Sequence, residues 1–313
     1  MPEPLLVALG GNALVRPGQA GSIPEQAATL RASLHGVVEL IRRGHPLVIT
    51  HGNGPQVGHI LIRAEAARGQ AYDLPLDVCV AQSQGETGYL IQQTLHNLLR
   101  DSGIDRPVVA LISRVVVDKD DPRMQRPTKP IGPFYASDQA AALKARGFTM
   151  VEDAHRGYRR VVPSPLPVRI VETDIVKRLV EDGTILIVLG GGGIPVFVDG
   201  AGQATGVDAV VDKDLASSLL AATIGVTRIL DLTSVDHVKL RFGTPAEQNL
   251  GRITLADAKA YLAAGHFAPG SMEPKIQAAI QFLEHGGRQV VITSPEHALA
   301  GFEGRVGTQI RPR

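Results

Sequence analysis

The chain has no tryptophan, a single cysteine and few aromatic residues, and each shortage removes a class of function. Cys79 alone can form neither an intrachain disulfide nor a cysteine-built zinc cluster. It reads as a buried helix residue. With aromatics at 4%, the stacking platforms that hold single-stranded nucleic acid have no material. The formal net charge is only +1, so the balance points neither to nucleic acid nor to polybasic membrane attachment. No apolar run approaches the ~18 residues of a membrane span. Only Met1-Pro2-Glu3 precede the first apolar strand, which leaves no basic segment or cleavage site for a secretory leader. The expectation is a cytoplasmic protein with no nucleic-acid or membrane partner.

Familiar motifs are missing too. There is no Gly-Lys pair and hence no Walker A loop. Gly52-Asn53-Gly54-Pro55-Gln56-Val57-Gly58 has one residue too many for G-x-G-x-x-G. H-E-x-x-H does not occur, and the histidines show no ligand spacing, so no protein-bound metal is expected. Mg²⁺ carried by a nucleotide would need few protein ligands.

What is present is glycine at strand ends. Pro4 to Leu9 runs into Gly10-Gly11-Asn12, Val48-Ile49-Thr50 into His51-Gly52-Asn53-Gly54, and Ile185 to Leu189 into Gly190-Gly191-Gly192-Gly193. Glycine lets a backbone approach a ligand and point successive N–H groups at it. In an open α/β sheet the ligand crevice lies beyond the carboxyl ends of the strands. Three such turns predict one anion site lined by main chain, suited to phosphates. His51 reads as a structural residue at its edge.

The rest of the chain alternates. Ser22-Ile23-Pro24-Glu25 is a capping box opening a helix that Gly44 stops. Helices are expected at 55–67, 75–100, 174–182, 212–224 and 273–285. Strands are expected at 47–50, 107–112 (a buried one), 185–189, 228–232 and 289–293. This rhythm predicts an α/β fold of three layers, with a mostly parallel sheet covered on both faces. With 313 residues it forms one domain, an N-terminal lobe of about 1–200 and a C-terminal lobe of about 201–313. Residues 118–167 break the rhythm with seven prolines and many charges. A structureless loop of that length is improbable, so the segment reads as a small subdomain projecting over the crevice, with a short helix at 137–146.

Phosphoryl transfer needs positive charge at the phosphoryl oxygens and alignment of both reactants. Lys213 stands at a probable helix start beside Asp214, and Lys275 stands at another, where the helix dipole favours anions. Lys129 lies between prolines that stiffen its loop. Each alone reads as a surface lysine; together with the glycine turns they suggest a kinase.

These segments resemble the carbamate kinases of the amino-acid-kinase superfamily. The resemblance rests on Ala8 to Ala13, Thr50 to Gly58, Pro127-Thr128-Lys129-Pro130-Ile131-Gly132-Pro133-Phe134, Gly190 to Pro195, Val211 to Asp214 and Gly265 to Met272. The glycine turns are shared across the superfamily; the segments around Lys129 and Gly265 to Met272 are far more specific. Relatives such as acetylglutamate kinase carry a lysine where this chain has Ala8, and carbamate kinases place one on a protruding subdomain, which Lys129 matches.

The resemblance implies ATP + carbamate ⇌ ADP + carbamoyl phosphate, run mostly toward ATP in arginine or purine-derived catabolism. It implies Mg²⁺ with the nucleotide, no organic cofactor, and a homodimer. Gln82 to Gly88 read either as part of the substrate approach or as a helix–helix contact, and the dimer favours the contact. Backbone N–H groups of Gly10, Gly11, Asn12, Gly52, Asn53 and Gly54 would hold the phosphoryl and carbamate groups, with Gly190, Gly191, Gly192 and Gly193 as the floor. Lys129, Lys213, Asp214 and Lys275 would carry the catalysis. Thr233, Val235, Asp236, Phe242, Gly243, Pro245, Gly270 and Met272 would line the nucleotide. Another kinase of the superfamily, or a non-catalytic nucleotide- or oxyanion-binding protein of that fold, are the alternatives.

Overall fold

The structure, a computed structural model, describes residues 2–153, 157–268 and 270–313. Its strands are β1 (Leu5–Leu9), β2 (Leu47–His51), β3 (Val108–Ala110), β4 (Arg114–Val117), β5 (Lys129–Tyr135), β6 (Met150–Asp153), β7 (Gly157–Val162), β8 (Pro167–Ile170) and β9 (Ile185–Ile187). They continue with β10 (Ile194–Val198), β11 (Ala204–Gly206), β12 (Arg228–Leu232), β13 (Lys239–Leu240), β14 (Gln248–Asn249), β15 (Arg252–Thr254), β16 (Gln289–Thr293) and β17 (Thr308–Arg311). The helices are α1 (Ile23–Ser33), α2 (His35–Arg42), α3 (Gly54–Ala66), α4 (Leu76–Asp101), α5 (Ser137–Ala145), α6 (Thr173–Glu181), α7 (Lys213–Thr223), α8 (Leu255–Ala263), α9 (Met272–Glu284) and α10 (Ala298–Phe302).

The main sheet has eight strands in the order β15-β17-β16-β12-β1-β2-β9-β3. Every pairing is parallel except β16 with β17. The period-two geometry of a strand divides the apolar residues between two faces. Leu5, Val7 and Leu9 enter one core with Leu30, Val37, Ile41, Ile91, Leu95 and Ala298, which belong to α1, α2, α4 and α10. Leu6 and Ala8 enter the other with Val176, Ala216, Ala258 and Ile276 of α6, α7, α8 and α9. The expected three layers are therefore present.

Two expectations change in detail. The long first helix is broken at Leu34 into α1 and α2. Two residues on, a Cβ at Gly36 would meet Ala298 of α10 at 2.8 Å, so only glycine allows that packing. The strand expected at 107–112 shrinks to β3 and lies at the sheet edge, with Val109 and Ile112 36% and 48% exposed. Its apolar run mimics a buried strand, but α4 covers the Val108 face while Val109, on the opposite face of this edge strand, stays exposed.

The charged insertion builds a sheet of its own. Strands β4 and β8 pair antiparallel in a second, four-stranded sheet, and the segment between them builds the antiparallel sheet β5-β7-β6 with α5 beside it. Residues 154–156 of the insertion lie outside the described residues. Ile131 and Val162 share a small core with Val57 and Ile60 of α3 and with Leu76, Cys79 and Val80 of α4. The approach to α3 is close: a Cβ on Gly58 would stand 2.4 Å from the Cα of Gly132. Arg146 and Glu65 form an ion pair across the same junction.

Candidate active site

The carboxyl ends of β1, β2, β9 and β12 lie side by side in the sheet, so the residues that follow them converge. Gly10 donates its N–H to the carbonyl of Leu232 at 2.7 Å, and Gly52 donates to Leu9 at 3.0 Å. These bonds continue the sheet by one residue. They also correct one expectation: the N–H groups of Gly10 and Gly52 are spent on neighbouring strands. The N–H groups of Gly11, Asn12, Asn53 and Gly54 have no partner among the described residues and remain as donors. Gly10 still has to be glycine, because a Cβ there would meet the Leu232 oxygen at 2.8 Å.

The turn after β9 is the floor. Leu189, Gly191, Gly192 and Gly193 all have positive φ, a run that L-residues with side chains resist. A Cβ on Gly191 would lie about on top of the Asn53 side-chain amide, 2.1 Å from Nδ2. Gln84 of α4 fixes this turn. Its Nε2 donates to the carbonyls of Ser113 and Gly190, both at 3.1 Å, and its Oε1 accepts from Ser113 N at 2.9 Å. The neighbouring Ser83 Oγ accepts from Asn53 Nδ2 at 2.7 Å. Ser83 and Gln84 thus face the site, and only the outer residues of the 82–88 stretch are left for a contact between subunits.

Charge enters from α7, α9 and β12. Asp212 caps α7 through its Oδ1, which accepts from Asp214 N at 2.9 Å and Leu215 N at 3.3 Å, while its Oδ2 accepts from Lys129 Nζ at 2.6 Å. Lys275 Nζ donates to both carboxylates of a buried pair, at 3.2 Å to Asp214 and 2.9 Å to Asp231. Lys213 Nζ stands 2.9 Å from Asp214 and 3.5 Å from Asp231, a buried ion pair with both carboxylates but without a well-aligned hydrogen bond to either. Its ammonium also borders the cavity, where a third N–H can meet a ligand.

Burial alone would push the Asp214 carboxyl up and the Lys275 ammonium down. The mutual pairing of the lysines and aspartates outweighs it. Asp214 is held below the usual carboxylate range, and Lys275 above the usual lysine range, so both stay charged. Ala8 pairs directly with Asp231 across the β1–β12 ladder, and its short side chain leaves Asp231 to Lys275. His51 is buried, donates Nδ1–H to the carbonyl of Gly52 at 2.9 Å, and is pushed down to about 4 by burial, so it is a neutral structural group.

The resulting cavity, of about 260 Å³, is lined on one side by Gly10 to Asn12, Gly52 to Gly54 and Gly191, and on the other by Lys129, Lys213, Asp214 and Lys275. Main-chain donors and ammonium groups facing one another describe a site for phosphoryl groups, not for an apolar ligand. A profile of the amino acid kinase family matches residues 3–294. The chain belongs to the amino acid kinase family.

Within that family it is 46% identical to a carbamate kinase of Pyrococcus horikoshii, with the whole of both chains aligned, and 47% identical to one of Halobacterium salinarum, with 98% of each aligned. The solved structure of a carbamate kinase from Giardia lamblia bound to AMP-PNP matches with a TM-score of 0.92 at 38% identity, covering 99% of this chain and 98% of that one.

Seen as an amino acid kinase, the chain gathers some of the expected residues and leaves others apart. Thr233 and Gly270 border the cavity, joined by Ser234 and Ser271. Gly190, Gly192 and Gly193 are buried below its lining. Val235, Asp236, Phe242, Gly243, Pro245 and Met272 do not line it. Asp236 is engaged with His297 at 2.9 Å, Phe242 is 69% exposed, Gly243 N donates to Glu247, and Met272 packs against the core at the start of α9. Pro269, within the specific segment before α9, lies outside the described residues. Two aspartates escape a motif-led reading as site residues, Asp212 and Asp231. For Asp231 a signal was there: an aspartate inside the apolar run Ile229-Leu230-Asp231-Leu232.

Proposed function

We infer that the chain is a carbamate kinase, transferring the terminal phosphoryl group between ATP and carbamate, with ATP synthesis from carbamoyl phosphate as its working direction. The observation that carries this is the source of the charges. The first strand has Ala8 where other family members supply a lysine, and the inserted subdomain delivers Lys129 to the rim, 2.6 Å from Asp212.

In the direction of ATP, a β-phosphate oxygen of ADP attacks the phosphorus of carbamoyl phosphate. The bond from phosphorus to the carbamoyl oxygen breaks, and carbamate leaves with that electron pair. The leaving group departs as an anion and the attacking oxygen is already charged, so no general acid or base is required. Positioning and neutralisation carry the acceleration. The free N–H groups of Gly11, Asn12, Asn53 and Gly54 meet the transferred group. Lys213 turns its ammonium toward the oxygens that gather charge. Lys275 holds Asp214 and Asp231, and through them Lys213, in place. Lys129 exchanges Asp212 for the acyl phosphate.

Among the described residues no group of three His, Cys, Asp or Glu side chains could hold a metal ion. Asp212, Asp214 and Asp231 are each paired with a lysine. This fits Mg²⁺ travelling on the nucleotide phosphates, where it would offset their charge. A cytoplasmic homodimer is part of the same reading. Exposed Val109, Ile112 and Tyr89 near the β3 edge supply apolar surface for the second subunit.

The test is ATP formation from ADP, Mg²⁺ and carbamoyl phosphate, with acetyl phosphate as the control donor. Rapid synthesis from the first and little from the second is expected. No ATP from a folded sample that binds ADP would shift the reading to another acceptor or to a binding protein.

A further inference from the structure

A second hollow, of about 660 Å³, opens beside the phosphate cavity between the inserted subdomain and α9. Lys129, Pro130, Asp212, Gly270 and Pro274 line both spaces, so the two join at the Lys129–Asp212 ion pair. The outer hollow carries Arg123 and Arg126 on its subdomain wall and Glu273 and Gln277 on its α9 wall. Most of these groups are engaged. Glu273 accepts from Gln277 Nε2 at 2.9 Å, and Arg123 lies 3.5 Å from Asp121. Asp121 in turn accepts from Leu166 N at 2.9 Å, which ties the arginine turn to the start of the returning chain. The Arg126 guanidinium has no partner among the described residues, although its backbone N–H donates to Arg123.

The reaction brings two anions to one cavity. On the carbamate kinase reading a nucleotide would occupy the Thr233–Ser271 side, so the other substrate needs its own approach. We propose that the arginine-lined hollow is the access subsite for the acyl phosphate, with Arg126 capturing its phosphate and Lys129 drawing it inward by releasing Asp212. This deepens the carbamate kinase reading and rests on it. A guanidinium presents a planar fork that matches phosphate oxygens, and it stays charged throughout the working pH range. A basic wall at the mouth of a cleft raises the local concentration of an incoming anion, an effect that salt screens.

The test compares Arg126→Glu and Arg126→Gln with wild type, using Arg31→Gln as a remote charge control. For Arg126→Glu, kcat/KM for carbamoyl phosphate should fall about tenfold at low ionic strength, less for the glutamine variant, with KM for ADP within about twofold of wild type. The deficit should shrink in about 0.5 M salt. An undiminished kcat/KM at low salt would overturn the proposal, as would an equal loss in ADP use or in the Arg31 control. If wild type itself makes no ATP, the function reading fails separately. Calorimetric titration with phosphonoacetamide, a stable isostere of carbamoyl phosphate, then decides the subsite: weaker binding by Arg126→Glu supports it, and unchanged binding overturns it.

Discussion

Lys275 and Lys129 serve one cavity in opposite ways. Lys275 is 11% exposed and donates to two carboxylates that face it from α7 and β12, on the main framework. Lys129 is 29% exposed, holds one carboxylate, and stands on an insertion that gives only Ile131 and Val162 to a small core shared with α3 and α4. The first is a fixed charge whose partners are part of the scaffold, so little reorganisation accompanies the chemistry. The second can trade its partner for a ligand at little cost to the fold. Lys213 combines the two: it is as buried as Lys275 and paired with the same carboxylates, yet it borders the cavity with no well-aligned hydrogen bond holding it.

The largest effect expected from this contrast is on rate. Lys213→Ala should lower kcat by ~10²–10³, the usual consequence of deleting a charge aimed at the transition state. A single cooperative unfolding transition should accompany the loss, showing that the assayed variant is folded. Full activity in that variant would remove Lys213 from the chemistry.

The next effect is on stability. Asp231→Ala leaves Lys275 buried with one carboxylate and should cost about 3 kcal/mol, read from urea unfolding. The sign of its pH dependence follows from the shifted groups. Asp214 is depressed in the fold, so its contribution is present above its ordinary value of 3.8 and is lost as pH falls through the lower, folded value. Lys275 is raised, so its contribution is complete below its ordinary value of 10.5 and is lost as pH rises through the higher, folded value. The difference between wild type and Asp231→Ala should therefore stay flat from about pH 5 to about pH 9. A difference that collapsed near neutrality would mean that the cluster is not charged as described.

The smallest effect concerns the subdomain. Gly58→Ala puts a methyl group against Gly132 and should tilt Lys129 away from the cavity. Use of carbamoyl phosphate should drop about tenfold, as misplacement of a positioning group does, while ADP binding holds; because the methyl meets backbone, a lower melting temperature should accompany the loss. Equal damage to ADP binding would place the subdomain contact in the main fold rather than beside it.

The main-chain half of the site was legible because glycine is rare at strand ends without a reason. Three apolar runs ending in glycines point to the cavity, although not to which N–H groups are free. That depends on the ladder: Gly10 and Gly52 are each consumed by the strand next door, a fact of register. The charged half was only partly legible. Lys213 and Lys275 stand at helix starts, but their partner Asp231 comes from β12, 44 residues before Lys275, and meets them only when α7 and α9 pack over the sheet. Gln84, which holds the floor, carries no motif at all. The edge position of β3 was hidden because an apolar run says that a strand exists, not how many neighbours it has.

Strands β4 and β8 are antiparallel partners, and everything between them leaves and returns at neighbouring points of the second sheet. The subdomain is in effect a hairpin loop grown to hold a lysine. Closing a flexible loop becomes harder only as the logarithm of its length, about 0.6 kcal/mol for each doubling, so such a graft weighs little on the framework below. On the proposed reading, the lysine that meets the acyl phosphate and the groups that carry phosphoryl chemistry consequently occupy separable stretches of the chain. An exchange of residues 118–166 for another insertion would be an experiment in rewriting the substrate while leaving the engine in place.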